Sequence, residues 1–279
     1  MDAVLQVLRL LLIGLVLAAL LLLGGLVGLV VADTLFGPRA ADSANLTYTS
    51  PDGGARYAYL NIPAQTGVYP GIVMLPDRWG LNGQMIRLAN RLADAGYVVL
   101  VPDLYRGQST DVLPRALLLS LTLPAERALT DVEQAYDYLT ALPQVDAAHI
   151  GVVGFGTGGG VALRFAAQTP TLGAVVNAYG PALDAGSLGQ LRGPVLGMFA
   201  ARDPFVSAAQ VERFRAALQS RDIPHDVIVY QRLETGFFRY PEVAVVGSAP
   251  YNAWLRLVEF LNHHLKPAPA SSSDRFPAL

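Results

Sequence analysis

The run Gly154-Phe155-Gly156-Thr157-Gly158-Gly159 follows an apolar, strand-like stretch and precedes a helix-like one, VALRFAA. A sharp turn between a strand and a helix is where a Gly-x-nucleophile-x-Gly sequence presents an attacking side chain. Here glycine, Gly156, occupies the place of the serine or cysteine. Thr157 supplies a hydroxyl one residue later, beyond the apex, where its side chain is expected to point elsewhere. The chain has no cysteine, which removes thiolate chemistry, thiolate metal sites and disulfides. Covalent acyl transfer needs a nucleophile, a base within hydrogen-bond reach and a group that orients the base. Among the four histidines, His149 and His225 start strands and His263 and His264 lie near the end of the last helix. None falls at a strand's C-terminal end, and their spacing makes no metal cluster. Convergence of Asp77, Asp103 and Asp203 on a metal is weighed against turn and capping roles, and the latter are favoured. The glycines also lack the Lys-Ser/Thr of a phosphate loop, and no opening βαβ unit supplies a dinucleotide fingerprint. No cofactor is expected.

The elements that must position these residues alternate. Two strands over LTYTS and ARYAYLNIP flank a Pro51–Gly54 turn. IVML, YVVLV, HIGVV, LGAVVNAYG, PVLGMFAARD and HDVIVY read as buried strands, the last ending at Tyr230. Helical periodicity is expected over 84–95, 124–142, 206–218 and 251–264. Gly107–Pro124, with its LLLSLTL core, reads as either a helix or a covering loop. Strands alternating with helices predict an α/β fold, a mainly parallel sheet with helices on both faces. Loops that do chemistry then sit at the C-terminal strand ends: 76–80, 102–107, 156–158, 201–205 and 231–239.

LPDRWGLN, GYVVLVPDLYRG and VGFGTGG, followed in order by ARDPFV and GFFR, resemble the dienelactone hydrolase family of the α/β-hydrolase fold over roughly residues 46–265. The resemblance implies an ester- or lactone-hydrolysing ancestry. It puts the nucleophile position on Gly156, the acid on Asp203 and the histidine on Thr235. Asp77 matches the carboxylate that contacts the resting nucleophile. Arg106 and Arg239 match arginines that bind a substrate carboxylate. The backbone N–H groups of Arg78 and Thr157 match the oxyanion hole. Two of three triad positions therefore lack the side chain the chemistry needs, and the expected reading is a pseudoenzyme.

At the N-terminus, Leu10 to Ala32 carries no charge. At 1.5 Å per residue the run spans roughly 35 Å, against a hydrocarbon core of roughly 30 Å. It exceeds the apolar core of an ordinary signal peptide, so residues 1–35 read as a single-pass anchor in contact with membrane lipid. Gly24 and Gly28 have the small-xxx-small spacing of helix packing. Arg9 and the terminal amine before the span, against Asp33, Arg39 and Asp42 after it, give a small bias toward a cytoplasmic N-terminus and an extracytoplasmic domain. Residues 36–45 read as a linker, 46–265 as the domain, and 266–279 as a polar tail. The remaining charge is balanced, with a formal net of −2, and no basic cluster invites nucleic acid. The function expected is that of a structural or interaction subunit in a membrane complex. The alternatives are a carboxylate-binding module in the old pocket and an atypical active hydrolase.

Overall fold

The structure is a computed structural model that describes residues 2–50, 53–239 and 241–266. The turn residues 51 and 52 and the tail from 267 lie outside the described residues, as does Tyr240. Eight strands form one sheet in the order β1-β2-β4-β3-β5-β6-β7-β8. The strands are β1 (Leu46–Thr49), β2 (Ala55–Asn61), β3 (Tyr69–Leu75), β4 (Val98–Pro102), β5 (Val145–Phe155), β6 (Ala174–Ala178), β7 (Val195–Arg202) and β8 (His225–Glu234). β1 pairs antiparallel with β2, and β2 with β4, while every pair from β4-β3 across to β7-β8 is parallel.

The central strands are continuous apolar runs because both sheet faces are covered. One face packs on α2 (Gly83–Asp94) and α7 (Ala249–Leu265), the other on α4 (Ala125–Thr140), α5 (Thr157–Ala166) and α6 (Ala208–Gln219). Periodicity fixes which side of each helix is buried: Met85, Leu88, Ala89 and Leu92 on α2, and Ala128, Val132, Ala135 and Leu139 on α4. Asn82 starts α2 by accepting the amides of Gln84 and Met85, an N-cap that satisfies otherwise free donors.

Three elements depart from the sequence reading. The ambiguous segment after Gly107 contains a helix, α3 (Leu113–Leu121). β8 does not stop at Tyr230 but runs to Glu234, pairing Arg202 with Glu234 after a register shift in β7. Thr235 therefore stands at the strand's end. The segment 36–45 is not a free linker. Ala40 is fully buried in the core and its N–H donates to the Gly107 carbonyl.

α1 (Asp2–Phe36) precedes this joint and is long and apolar enough to cross a membrane. Its apolar window makes no burial against the domain. Its last turn does touch the domain. Asp33 accepts from Arg115 Nη1 at 2.9 Å and from the Thr110 hydroxyl at 2.6 Å. Arg39 turns back to donate to the Thr34 carbonyl at 2.8 Å, where a cation complements the helix C-terminus.

Candidate functional site

The strand-to-helix turn is present. Gly156 joins β5 to α5 at φ 50° and ψ −118°, a region that side-chain-bearing residues occupy only under strain. Its surroundings permit almost no addition. A Cβ on Gly154 would meet the Gly158 carbonyl oxygen at 2.2 Å, and one on Gly159 would meet Asn177 Oδ1 at 2.1 Å. A Cβ on Gly158 would lie 2.5 Å from the Leu75 and Pro76 carbonyl oxygens. At Gly156 itself the nearest obstacle is milder, Asp77 Cβ at 3.2 Å. The apex thus has room for a side chain at the price of a small shift, and the flanking glycines do not.

Above the turn lies a cavity of about 310 Å³ lined by Asp77, Arg78, Trp79, Gly156, Tyr179, Thr235 and Arg239, among others. Pro204 and Phe205 close one side, bringing the loop of Asp203 to the rim. The loops at the ends of β3, β5, β6, β7 and β8 converge here, as a parallel sheet requires. Asp203 Oδ1 accepts the amides of Phe205 and Val206 at 2.7 and 3.1 Å, while its buried Oδ2 has no hydrogen-bond partner among the described residues. A triad acid would use such an oxygen to orient an imidazole. His149 pairs with Asp146 at the opposite strand end, and His225 Nδ1 contacts the Ile223 carbonyl. His263 and His264 lie on α7, and none of the four lines the cavity.

Asp77 is buried beside the apex, and burial pushes its carboxyl up to about 6. The Trp79 N–H, which donates to Oδ1 at 3.0 Å, and the charges of Arg239 and Arg78 oppose that rise. Both arginines sit on aromatic faces. Arg78 lies 4.0 Å from the Phe205 ring centroid and Arg239 5.1 Å from that of Trp79, within cation–π range. Among the described residues, neither the Arg78 nor the Thr157 backbone N–H donates to a protein acceptor. The Thr157 hydroxyl is 2.8 Å from Ser120 Oγ on α3.

Arg106 departs from the expected pairing with Arg239. Its guanidinium is 3.2 Å from Asp131 on α4, which also binds Arg56, and it is not among the cavity residues. Sequence spacing located it near the strand end but not its direction, which follows from a left-handed backbone at φ 51°. Asp103 accepts the amides of Tyr105 and Gly107 in the same turn, and burial raises its carboxyl to about 6. No group of three potential metal ligands occurs among the described residues. On α1, a Cβ at Gly24 or Gly28 would meet nothing within 4 Å.

Sequence reasoning missed Tyr179, Trp79 and Leu113 as cavity walls and Ser120 as a neighbour of the turn. Tyr179 adopts φ 45° and its buried hydroxyl lacks a partner among the described residues. Burial holds that hydroxyl well above the usual tyrosine range. No residue pattern at the end of β6 announces that backbone, because tyrosine rarely adopts a positive φ.

Residues 57–265 match the model of the dienelactone hydrolase family. A Bradyrhizobium protein described as a probable 2-oxo-3-(5-oxofuran-2-ylidene)propanoate lactonase is 28% identical over 228 residues, covering 77% of this chain and 92% of that one. A structure named m3DLH is 26% identical at a TM-score of 0.69, covering 79% of this chain and 97% of its own. A dienelactone hydrolase-like promiscuous phosphotriesterase from metagenomic libraries has the same fold, at 22% identity and a TM-score of 0.69 over 78% of this chain and 96% of that one.

Proposed function

The chain belongs to the dienelactone hydrolase family, and from that premise we propose that it is a membrane-anchored member that no longer turns over substrate. Its role is that of a structural or interaction subunit, held in the bilayer by α1 with the domain on the extracytoplasmic side. The observation that carries the reading is the apex residue. Gly156 keeps the strained turn and offers no atom to attack a carbonyl. Thr235 occupies the cavity wall at the expected histidine position, and a hydroxyl cannot serve as a base near neutral pH. The unpartnered Asp203 Oδ2 is consistent with an acid that has lost the ring it would orient.

The test is hydrolysis of an activated short-chain ester and of an unsaturated lactone by the full chain in detergent. No rate above buffer is expected. A rate abolished by Thr157→Ala would overturn the reading and revive the atypical hydrolase. The converse experiment is repair, because Gly156→Cys with Thr235→His restores the missing pair and is expected to gain esterase activity.

The retained cavity favours a second reading, binding without turnover. Two arginines on aromatic faces and two free backbone N–H groups form a site for a small carboxylate. Calorimetric titration with succinate and maleate is expected to show saturable binding, weakened about tenfold or more in Arg239→Ala. An absence of saturation at millimolar ligand would remove this reading and leave the first intact.

A further inference from the structure

α3 is inverted relative to a helix on a water-soluble domain. Its one charged residue, Arg115, is 2% exposed, whereas Leu113 and Leu118 are each 50% exposed and Leu121 is 83% exposed. Helices ordinarily bury their leucines and solvate their arginines. Leucine surface left in water forgoes the gain of burial. The arginine is spoken for: Nη1 binds Asp33 and Nη2 donates to Gln108 Oε1 at 3.1 Å.

The position of Asp33 sets the height of this helix. The uncharged run of α1 ends at Ala32, so Asp33 is the first residue past the apolar segment. If α1 crosses the bilayer, Asp33 stands at the edge of the hydrocarbon core. Its contact with Arg115, in the first turns of α3, then holds α3 at the same level. The joint has little freedom. Thr110 also binds Asp33, Arg39 bridges to Gln108, and Arg39 caps the α1 carbonyls.

The geometry points to α3 lying in the headgroup layer of the bilayer that α1 crosses, with Leu118 and Leu121 seated against lipid. This inference rests on the reading of α1 as a membrane span. Lipid is the occupant because α1 itself delivers the surface to that depth, where an exposed leucine face gains by burial in the headgroup and acyl boundary. Leu113, at the start of the same helix, is also part of the cavity wall.

The absence of cysteine from the chain permits single-site labelling. Full chains carrying Leu20→Cys, Leu121→Cys or Ala148→Cys are labelled with an environment-sensitive fluorophore and reconstituted in phosphatidylcholine vesicles. Quenching by lipids with shallow or deep nitroxides is then read. Ala148, exposed near the N-terminal end of β5, lies away from α3 and serves as the aqueous control. The Leu121 label is expected to shift to the blue and to lose emission mainly to the shallow nitroxide. The Leu20 label responds to the deep one and the Ala148 label to neither. A quenched Leu20 label with an unquenched Leu121 label overturns the placement of α3 while leaving the span standing. An unquenched Leu20 label overturns the span and the placement with it. A Leu121 thiol that is unquenched in pure lipid yet shielded from maleimide in native membranes also overturns it, in favour of a protein partner.

Discussion

The turn at Gly156 and the joint between α1 and α3 are held in opposite ways. At the turn the shape comes from backbone. Glycines allow carbonyls and Cα atoms to approach where a Cβ would collide, and no polar side chain at the apex is required. At the joint the shape comes largely from side chains: Asp33, Arg115, Thr110 and Gln108 are joined by directed hydrogen bonds, and Arg39 donates to the Thr34 carbonyl. A backbone-coded shape does not depend on the apex side chain, because nothing that holds the turn comes from it. A side-chain-coded contact has no such reserve, since Asp33, Arg115 or Thr110 left alone is a buried polar group short of a partner.

Truncation of Arg115 is the largest test of that contrast. Arg115→Ala strands Asp33 with the Thr110 hydroxyl as its remaining side-chain donor, and breaking a buried pair on one side costs about 3–5 kcal/mol. The loss is expected as a lower melting temperature in detergent, with faster amide exchange confined to residues 107–121. An unchanged exchange pattern would show that the joint is not held by this pair. Gly158→Ala is expected to cost about 3 kcal/mol by overpacking, because its new Cβ meets two backbone carbonyls that cannot rotate aside. Urea unfolding of the two variants separates a local loss at the joint from a global one at the turn.

The buried carboxyl of Asp77 gives a titration. Its folded value of about 6 lies above the ordinary 3.8, so the protonated form is the one the fold prefers. Stability on its account is full below the unfolded value and falls as pH rises through the folded one, by about 2–3 kcal/mol between acid and neutral pH. Asp103 titrates in the same direction. Asp77→Asn keeps an oxygen for the Trp79 amide and removes one of the two contributions. Its melting temperature is therefore expected to exceed the parent's at pH 8 and to match it at pH 4. Equal curves at both pH values would mean that the Asp77 carboxyl is solvated.

Gly156→Ala tests the apex alone. The strained dihedrals are expected to cost about 1–2 kcal/mol, less than Gly158→Ala, because the closest atom is the Asp77 Cβ at 3.2 Å rather than backbone. Chemical denaturation gives the ordering. If Gly156→Ala were the more damaging, the apex would no longer be built to hold a side chain.

The turn was legible in sequence and the joint was not, for the same physical reason. VGFGTGG announces its geometry through glycine, whose lack of Cβ is local information. A mainly parallel sheet covered on both faces and the buried faces of α2 and α4 followed from local pattern, and the family resemblance picked out Asp77, Gly156, Thr235 and Arg239, which the structure brings around one cavity. The Asp33–Arg115 pair spans a large sequence separation between two segments that looked unrelated, an apolar span and an irregular stretch. Arg106 fails in the same manner: its position is local, but its partner Asp131 lies on another helix. The extension of β8 to Glu234 likewise depends on pairing with β7, which the polar sequence after Tyr230 conceals.

The smallest expected effect lies where the two regions meet. Ser120 Oγ on α3 and Thr157 Oγ1 at the head of α5 are 2.8 Å apart, a side-chain hydrogen bond between the helix tied to α1 and the turn. Ser120→Ala is expected to cost about 1 kcal/mol, the usual net value of such a bond. Its use is as one corner of a double-mutant cycle with Arg115→Ala. If the joint and the turn form one cooperative unit, releasing α3 at Arg115 already loosens Ser120, and the two losses sum to less than their separate values. If the regions are independent, the losses add within about 0.3–0.5 kcal/mol. Additivity would mean that the joint between α1 and α3 carries no message to the turn at Gly156. A coupling above that margin would make α3 the element through which α1 and the turn sense one another.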